Sequence, residues 1–311
     1  MTVPKRHHLL PEFYLRGFCN QALHEAEDHK SNPSRCRVWI YDRTRDQCRE
    51  RGVKNVAVES HFYSADTLEG GRDAEPERQL SVLEGKAARI IRSLRPGCGL
   101  TSLQRTRLAR FVAVMRFRTP TFRTGAESFW DQKMPEIKQG LFPTVDSLRD
   151  FLRSKGVAVD ELPDEEFERT YRDLQSETYD LPLTKNFLLM RMFALGEKAG
   201  GILSRFSWTF AWANERTSFD SSDDPFLVLD AEGEVVPAFT GHVGPASPGT
   251  TKVLPLTQRV CLLIGDGALH TRHVRLDRKT VRDFNLKQVE HYDRWLIARD
   301  QTLLKRVVEL R

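Results

Sequence analysis

Side chains able to do chemistry are concentrated near the start of this 311-residue chain. His8 lies just before a helix predicted to begin at Pro11, and backbone N–H groups at a helix N-terminus bind anions well. A histidine there can act as a general base or contact a phosphate. The alternatives are structural: His8 packs locally, and Arg16 forms a helix-surface ion pair with Glu12, four residues earlier.

Two further groups could complete an acid–base site. Arg118 ends a predicted helix at the edge of its apolar stripe, where it either pairs with an acidic or backbone group or binds substrate. Asp223 lies in an Asp-rich turn between two strands, where it either anchors the turn or helps to hold a divalent metal such as Mg²⁺ or Mn²⁺. We expect the side chains of His8, Arg118 and Asp223 to approach one another around a shared concave site.

Other polar residues are candidate substrate contacts. They are Tyr14 and Arg16 in the first helix, Ser222 in the Asp-rich turn, and Asn285 on the apolar face of the last predicted helix. A polar group on an apolar face must find partners. We therefore expect Asn285 to be buried, with its amide bonded to the backbone or to another polar core group.

The elements that position these residues predict an α+β fold in one domain, residues 1–311. Alternating patterns predict strands at 37–42, around 55–63, and through a C-terminal β region at 206–278. Helical periodicity fills 75–205, and a final helix is predicted over 279–304. The prediction is a mostly antiparallel sheet from the N- and C-terminal parts, with an inserted all-helical block at 75–205.

Composition favours an intracellular globular protein. Hydrophobic residues make up 40% of the chain, and no run approaches the roughly 18 apolar residues that span a bilayer. The net charge of +5 comes mainly from arginine, which slightly favours a nucleic acid or nucleotide partner. No two of the five cysteines are closer than twelve positions, which predicts free thiols in a reducing cytoplasm.

Several segments together resemble a family of unknown function, number 4238 in its series. They are the His-His-x-x-Pro-x-Phe-Tyr-Leu-x-x-Phe run at 7–18, Asn55 to Tyr63, Arg118-Thr119-Pro120, the 221–225 turn, Pro-Leu-Thr at 255–257 and the late Asn285. The turn departs from the family pattern at Ser221 and Asp224, which stand for threonine and asparagine. The resemblance implies that its shared polar residues converge, and it implies no activity.

The leading hypothesis is an enzyme that cleaves phosphodiesters, a nuclease-like effector of bacterial stress or phage defence. It rests on the basic charge and on a His, Arg and Asp set able to do acid–base work. The rival is a non-catalytic module that binds nucleotides or nucleic acid, and a third possibility is a nucleotide sensor. Substrate, metal dependence and oligomeric state stay open.

Overall fold

The secondary structure follows the periodicity of the sequence through most of its length. The computed structural model describes residues 6–19, 36–60, 62–63, 65–66, 71–159, 163–176, 183–237, 244–245 and 247–309. The helices within these ranges are Glu12–Arg16 (α1), Glu75–Ser93 (α2), Ser102–Phe117 (α3), Pro120–Leu141 (α4), Val145–Ser154 (α5), Asp164–Gln175 (α6), Lys185–Leu203 (α7), Arg278–His291 (α8) and Gln301–Val308 (α9).

The strands lie at both ends of the chain. They are Arg6–His8 (β1), Arg37–Asp42 (β2), Gln47–Gly52 (β3), Val58–Ser60 (β4), Ala65–Asp66 (β5), Arg72–Asp73 (β6), Ser207–Ala213 (β7), Ser221–Ser222 (β8), Leu227–Leu229 (β9), Thr251–Thr257 (β10), Val260–Gly265 (β11), Thr271–Leu276 (β12) and Trp295–Ala298 (β13). The protein is an α+β fold, as predicted.

The strands form two larger sheets instead of the single sheet predicted. A five-stranded sheet in the order β12-β7-β11-β10-β9 is built from the C-terminal part alone. A four-stranded antiparallel sheet in the order β3-β2-β13-β8 joins the two ends of the chain. The second sheet carries Ser222 and the turn around Asp223, so it positions two of the seven predicted site residues.

The pairing of the N-terminal strands differs from the prediction. β2 pairs with β3, a polar strand whose sequence lacks the apolar alternation that marks a half-buried strand. The predicted partner region supplies β4 instead, and β4 pairs with β1. His61, in the same predicted region, lies outside the described residues.

The predicted final helix is interrupted. Residues 279–304 contain all of α8 except its first residue, the strand β13 and the first half of α9. β13 fills the gap between β2 and β8, so pairing on both sides stabilises it as a strand. Asp300 then starts α9 by accepting the Leu303 N–H at 2.8 Å.

The chain divides into two compact units. One comprises residues 1–123 and 185–311, and the other comprises residues 124–184. The second unit contains 124–141 of α4 with α5 and α6, and its own core holds Phe142, Leu148, Val159 and Phe167. Between Glu75 and Leu203 the regular elements that the structure describes are all helices, and they divide between the two units. No helix among the described residues is long and apolar enough to cross a membrane.

The expectation of five free thiols is wrong. Cys19 and Cys36 form a disulfide, with their Cα atoms 6.1 Å apart. Spacing along the chain does not reveal this pair, because the end of α1 and the start of β2 come together only in the folded structure. Cys48, Cys98 and Cys261 are free.

Candidate functional site

The Arg118 side chain is fully engaged by the fold. It is 2% exposed and donates to the Tyr63 hydroxyl at 3.1 Å, to Glu84 at 2.7 Å and to the His8 carbonyl at 2.9 Å. Tyr63 in turn donates to the Arg118 carbonyl at 3.3 Å. These contacts tie the end of α3 to α2 and β1, which is the structural alternative considered for this arginine.

The two adjacent histidines have different surroundings. His7 is buried, and its Nδ1 accepts the Tyr63 N–H at 2.6 Å while its Nε2 lies 3.3 Å from Glu77. The proton of neutral His7 is therefore on Nε2. His8 is half-buried, and its backbone carbonyl, not its ring, makes the contact with Arg118 described above.

Asp223 anchors the chain at the start of β13. Its buried carboxylate accepts the backbone N–H groups of Asp293 at 3.0 Å, Arg294 at 2.8 Å and Trp295 at 3.0 Å. Burial raises the pKa of Asp223 to about 7, while the three N–H donors favour the carboxylate. Asp223 thus belongs to the four-stranded sheet, whereas His8 and Arg118 meet at β1 and α3.

The carboxylates of the Asp-rich turn do not converge on a metal site. Asp223 faces the backbone, and Asp224 lies 3.6 Å from the Arg116 guanidinium. Among the described residues, no group of three or more His, Cys, Asp or Glu side chains could hold a metal ion. The three Asp residues are close in the sequence, but neighbouring side chains on an extended chain point to opposite sides. Their spacing along the chain therefore does not bring their carboxylates together.

The predicted substrate contacts on α1 and in the turn bind other parts of the protein. The Tyr14 hydroxyl donates to the Pro255 carbonyl at 2.7 Å and lies 2.8 Å from Ser221 Oγ. Ser222 Oγ donates to Gln288 on α8 at 2.8 Å. Arg16 pairs with Glu12 at 2.5 Å, which is the helix-surface alternative.

Asn285 is buried and bonded to backbone, which confirms the expectation for this residue. Its Oδ1 accepts the Asp220 N–H at 3.0 Å, and its Nδ2 donates to the Ser218 carbonyl at 2.9 Å. Asn285 also lines a cleft of about 940 Å³ between α8, α9 and residues 216–218. This volume lies within the range of roughly 300–1,000 Å³ typical of ligand sites.

The cleft has an apolar base and a basic rim. Val281 and Val307 are buried at its base, where Leu286 and Leu303 join them. Its basic lining residues are Arg216, Arg278, Lys279, Arg282, Arg299 and Arg306. His8, Arg118 and Asp223 are not part of this lining.

The rim carries an excess of positive charge. Arg299 pairs with Asp300 at 3.1 Å. Across the part of the chain that the structure describes, the other five basic side chains form no ion pair within 4.0 Å, and all five are exposed. Only two further carboxylates, Asp283 and Glu309, belong to the described lining. The field in the cleft therefore attracts anions.

A buried carboxyl group lies behind the cleft. Asp220 is 1% exposed, and neither of its oxygens has a hydrogen-bond partner among the described residues. Burial raises its pKa well above the ordinary value, Asp300 adds to the effect, and Arg299 opposes it. Arg299 and Asp300, the two charged groups that act on Asp220, also line the cleft.

The sequence did not predict the cleft, although the spacing of three of its basic residues is visible in the chain. Arg278, Lys279 and Arg282 are spaced to share one side of α8. Arg216 and Arg306 come from distant segments, so only the tertiary structure adds them.

Fold and site together define an α+β protein with a basic cleft over an apolar base. The chain belongs to the family described as protein of unknown function (DUF4238), whose model matches residues 6–302. The resemblance seen in the sequence is thereby confirmed. No curated protein and no solved structure shows significant similarity to the chain.

Proposed function

We propose that the protein binds a nucleotide-sized phosphorylated ligand in the basic cleft. The observation that carries this proposal is the set of five exposed cations, without ion-pair partners among the described residues, around an apolar base. Arginine forks bind phosphate in bidentate fashion, and an apolar base accepts the flat face of a nucleobase. This function is the non-catalytic alternative given for the sequence, a module that binds nucleotides or nucleic acid.

The test compares charge reversal in the cleft with charge reversal elsewhere. Binding of ATP, GTP, AMP and inorganic phosphate is measured by calorimetry for the parent, for Arg282→Glu/Arg306→Glu and for Arg89→Glu. Arg89 is an exposed arginine on α2, outside the cleft lining. We expect the cleft variant to lose about tenfold or more in nucleotide affinity and Arg89→Glu to match the parent. Equal binding by all three proteins would place the ligand elsewhere.

Cleavage of a phosphodiester is a second candidate function of the same cleft. The observation that favours it is Asp220, because a buried carboxyl with a raised pKa beside a cleft is suited to donate a proton. In this mechanism the rim cations bind the phosphate and a water molecule attacks the phosphorus as the bond to the leaving oxygen breaks. Asp220, which is buried behind the lining and must become accessible from the cleft, gives that oxygen its proton. A role in bacterial stress or phage defence stays a prediction.

Asp220→Asn separates the two functions. Asparagine has the shape of a protonated carboxyl but cannot supply the proton, so the variant should bind nucleotides like the parent and cleave nothing. Labelled RNA, DNA and nucleotides are incubated with each protein, with and without Mg²⁺ or Mn²⁺, and the products are resolved on a gel. Cleavage by Asp220→Asn at the parent rate excludes Asp220 as the acid, and no cleavage by the parent leaves binding alone.

A further inference from the structure

Three arginines lie around one buried carboxylate at the edge of the four-stranded sheet, and a fourth, Arg51, acts on one of them, Arg49. The Asp42 side chain is fully buried and accepts from Arg294 at 3.1 and 3.2 Å and from Arg49 at 2.9 Å, while Arg45 lies 4.0 Å away. Burial and the neighbouring Arg51, Arg45 and Arg294 lower the pKa of Arg49, and the carboxylate that opposes them is Asp42. We call Arg45, Arg49, Arg51 and Arg294 the arginine cluster.

The arginine cluster holds more positive charge than its own fold requires. One carboxylate is shared by two bonded guanidinium groups and a third at longer range, which leaves a net positive site. The Nε of Arg49 is buried and has no acceptor among the described residues. Like charges placed this close repel one another, so an anion bound between them would relieve an unfavourable interaction.

The site is open to a large partner. Arg45 and Arg51 are exposed, and they lie in and beside β3, the strand at the edge of its sheet. Arg294 is held in place by Asp42 and by the Trp295 ring, whose centroid is 4.6 Å from the guanidinium carbon. Fixed guanidinium groups at an exposed edge suit a partner that presents several phosphates in a row.

From this geometry we infer that the arginine cluster binds the phosphate backbone of a nucleic acid. A free nucleotide carries its phosphates at one point, whereas a strand carries them at regular intervals and reaches several arginines together. The inference concerns a surface built by β3 and the start of β13, so it does not depend on the ligand of the cleft between α8 and α9.

The test removes the exposed charges and leaves the buried ones in place. Binding of fluorescein-labelled RNA, single-stranded DNA and duplex DNA of about 20 nucleotides is followed by fluorescence anisotropy between about 50 and 200 mM salt. The variant is Arg45→Gln/Arg51→Gln. The matched control is Arg89→Gln/Arg92→Gln, two exposed arginines on α2.

We expect Arg45→Gln/Arg51→Gln to bind about tenfold more weakly at low salt, with a slope of log K against log salt reduced by about one to two. The α2 control should bind like the parent. The inference is overturned if the α2 control weakens equally, which indicates diffuse attraction. It is also overturned if only the cleft variant Arg282→Glu/Arg306→Glu loses binding of the nucleic acid. Binding of the protein to phosphatidylserine vesicles, without any binding to nucleic acid, is the third outcome that contradicts it.

Discussion

Arg118 is a residue type that often serves in catalysis, but in this protein its contacts stabilise the fold. Its guanidinium donates to Tyr63, Glu84 and the His8 carbonyl, so its charge is compensated where it lies. Asp223 is similar, since its carboxylate binds three successive backbone N–H groups. Five of the six cations of the cleft rim differ from both, because no ion pair among the described residues holds them.

Replacing Asn285 tests whether it anchors α8 to the 218–220 segment. Asn285→Leu leaves the Asp220 N–H and the Ser218 carbonyl buried without their partner. We expect a loss of about 1–3 kcal/mol in the free energy of unfolding, measured by urea denaturation. Glu290→Leu, at an exposed position of the same helix, serves as the control. An unchanged midpoint for Asn285→Leu would show that the two bonds contribute nothing.

Asp42 should make the protein sensitive to acid. Burial acts against ionisation of Asp42, but the bonds from Arg294 and Thr44 prevail and lower its pKa to about 2. The unfolded chain has a pKa of about 3.9, so it takes up the proton first as the pH falls. The stabilisation from Asp42 is complete above about pH 4 and is lost as the pH falls towards about 2.

Asp42→Asn provides the comparison for this pH effect. Unfolding free energies of parent and variant are measured between about pH 5 and about pH 2.5. The parent should be more stable at the upper end, and the difference should shrink as the pH falls. A difference that stays constant over this range would mean that Asp42 does not titrate as described.

At the scale of elements, α3 and α7 approach closely because α7 carries glycines on the facing side. A Cβ placed on Gly200 would lie 2.8 Å from the Cα of Arg110, whereas one on the adjacent Gly201 would meet nothing within 4 Å. The neighbouring Gly196 faces Val114 in the same way.

Gly200→Ala should therefore force the two helices apart. We expect a loss of about 1–3 kcal/mol in the free energy of unfolding. Gly201→Ala is the matched control, and it should gain about 0.5–1 kcal/mol from the better helix propensity of alanine. Thermal or urea denaturation gives the free energy of unfolding of both variants. A similar increase in the two would show that α3 and α7 are not in close contact at Gly200.

At the scale of the whole molecule, the disulfide links the N-terminal helix to the four-stranded sheet. Cys19 ends the α1 region, Cys36 precedes β2, and the two are separated by 17 positions. A bridge over a loop of this size restricts the unfolded chain and stabilises the folded one by about 3 kcal/mol in the chain-entropy model.

Cys19→Ala/Cys36→Ala should lower the free energy of unfolding, measured by urea denaturation, by about 3 kcal/mol. Cys98→Ala, at an exposed free cysteine, should leave it unchanged. Alkylation of the denatured, unreduced protein should modify the three cysteines that are free, and reduction should add two more. Modification of all five without reduction would show that the bridge does not form.

The sequence by itself determined the local elements. Periodicity predicted β2 at its observed bounds and a helical stretch that contains α2, α3 and α7, because one buried face sets a period of two in strands and 3.6 in helices. The same reasoning predicted that Asn285 is buried and bonded. It missed β3 and β13, since a polar edge strand and a strand between two helices carry no such period.

Only the tertiary structure decided which residues meet. It bonded Asp223 to the backbone at the start of β13, paired Cys19 with Cys36, and brought Arg216, Arg282 and Arg306 to one cleft. Distances between side chains from distant segments depend on how the layers pack, and the periodicity of a segment carries no information about its partner. Residue types indicated phosphate chemistry, and the packing of α8 against α9 formed the basic cleft where we propose that a phosphorylated ligand binds.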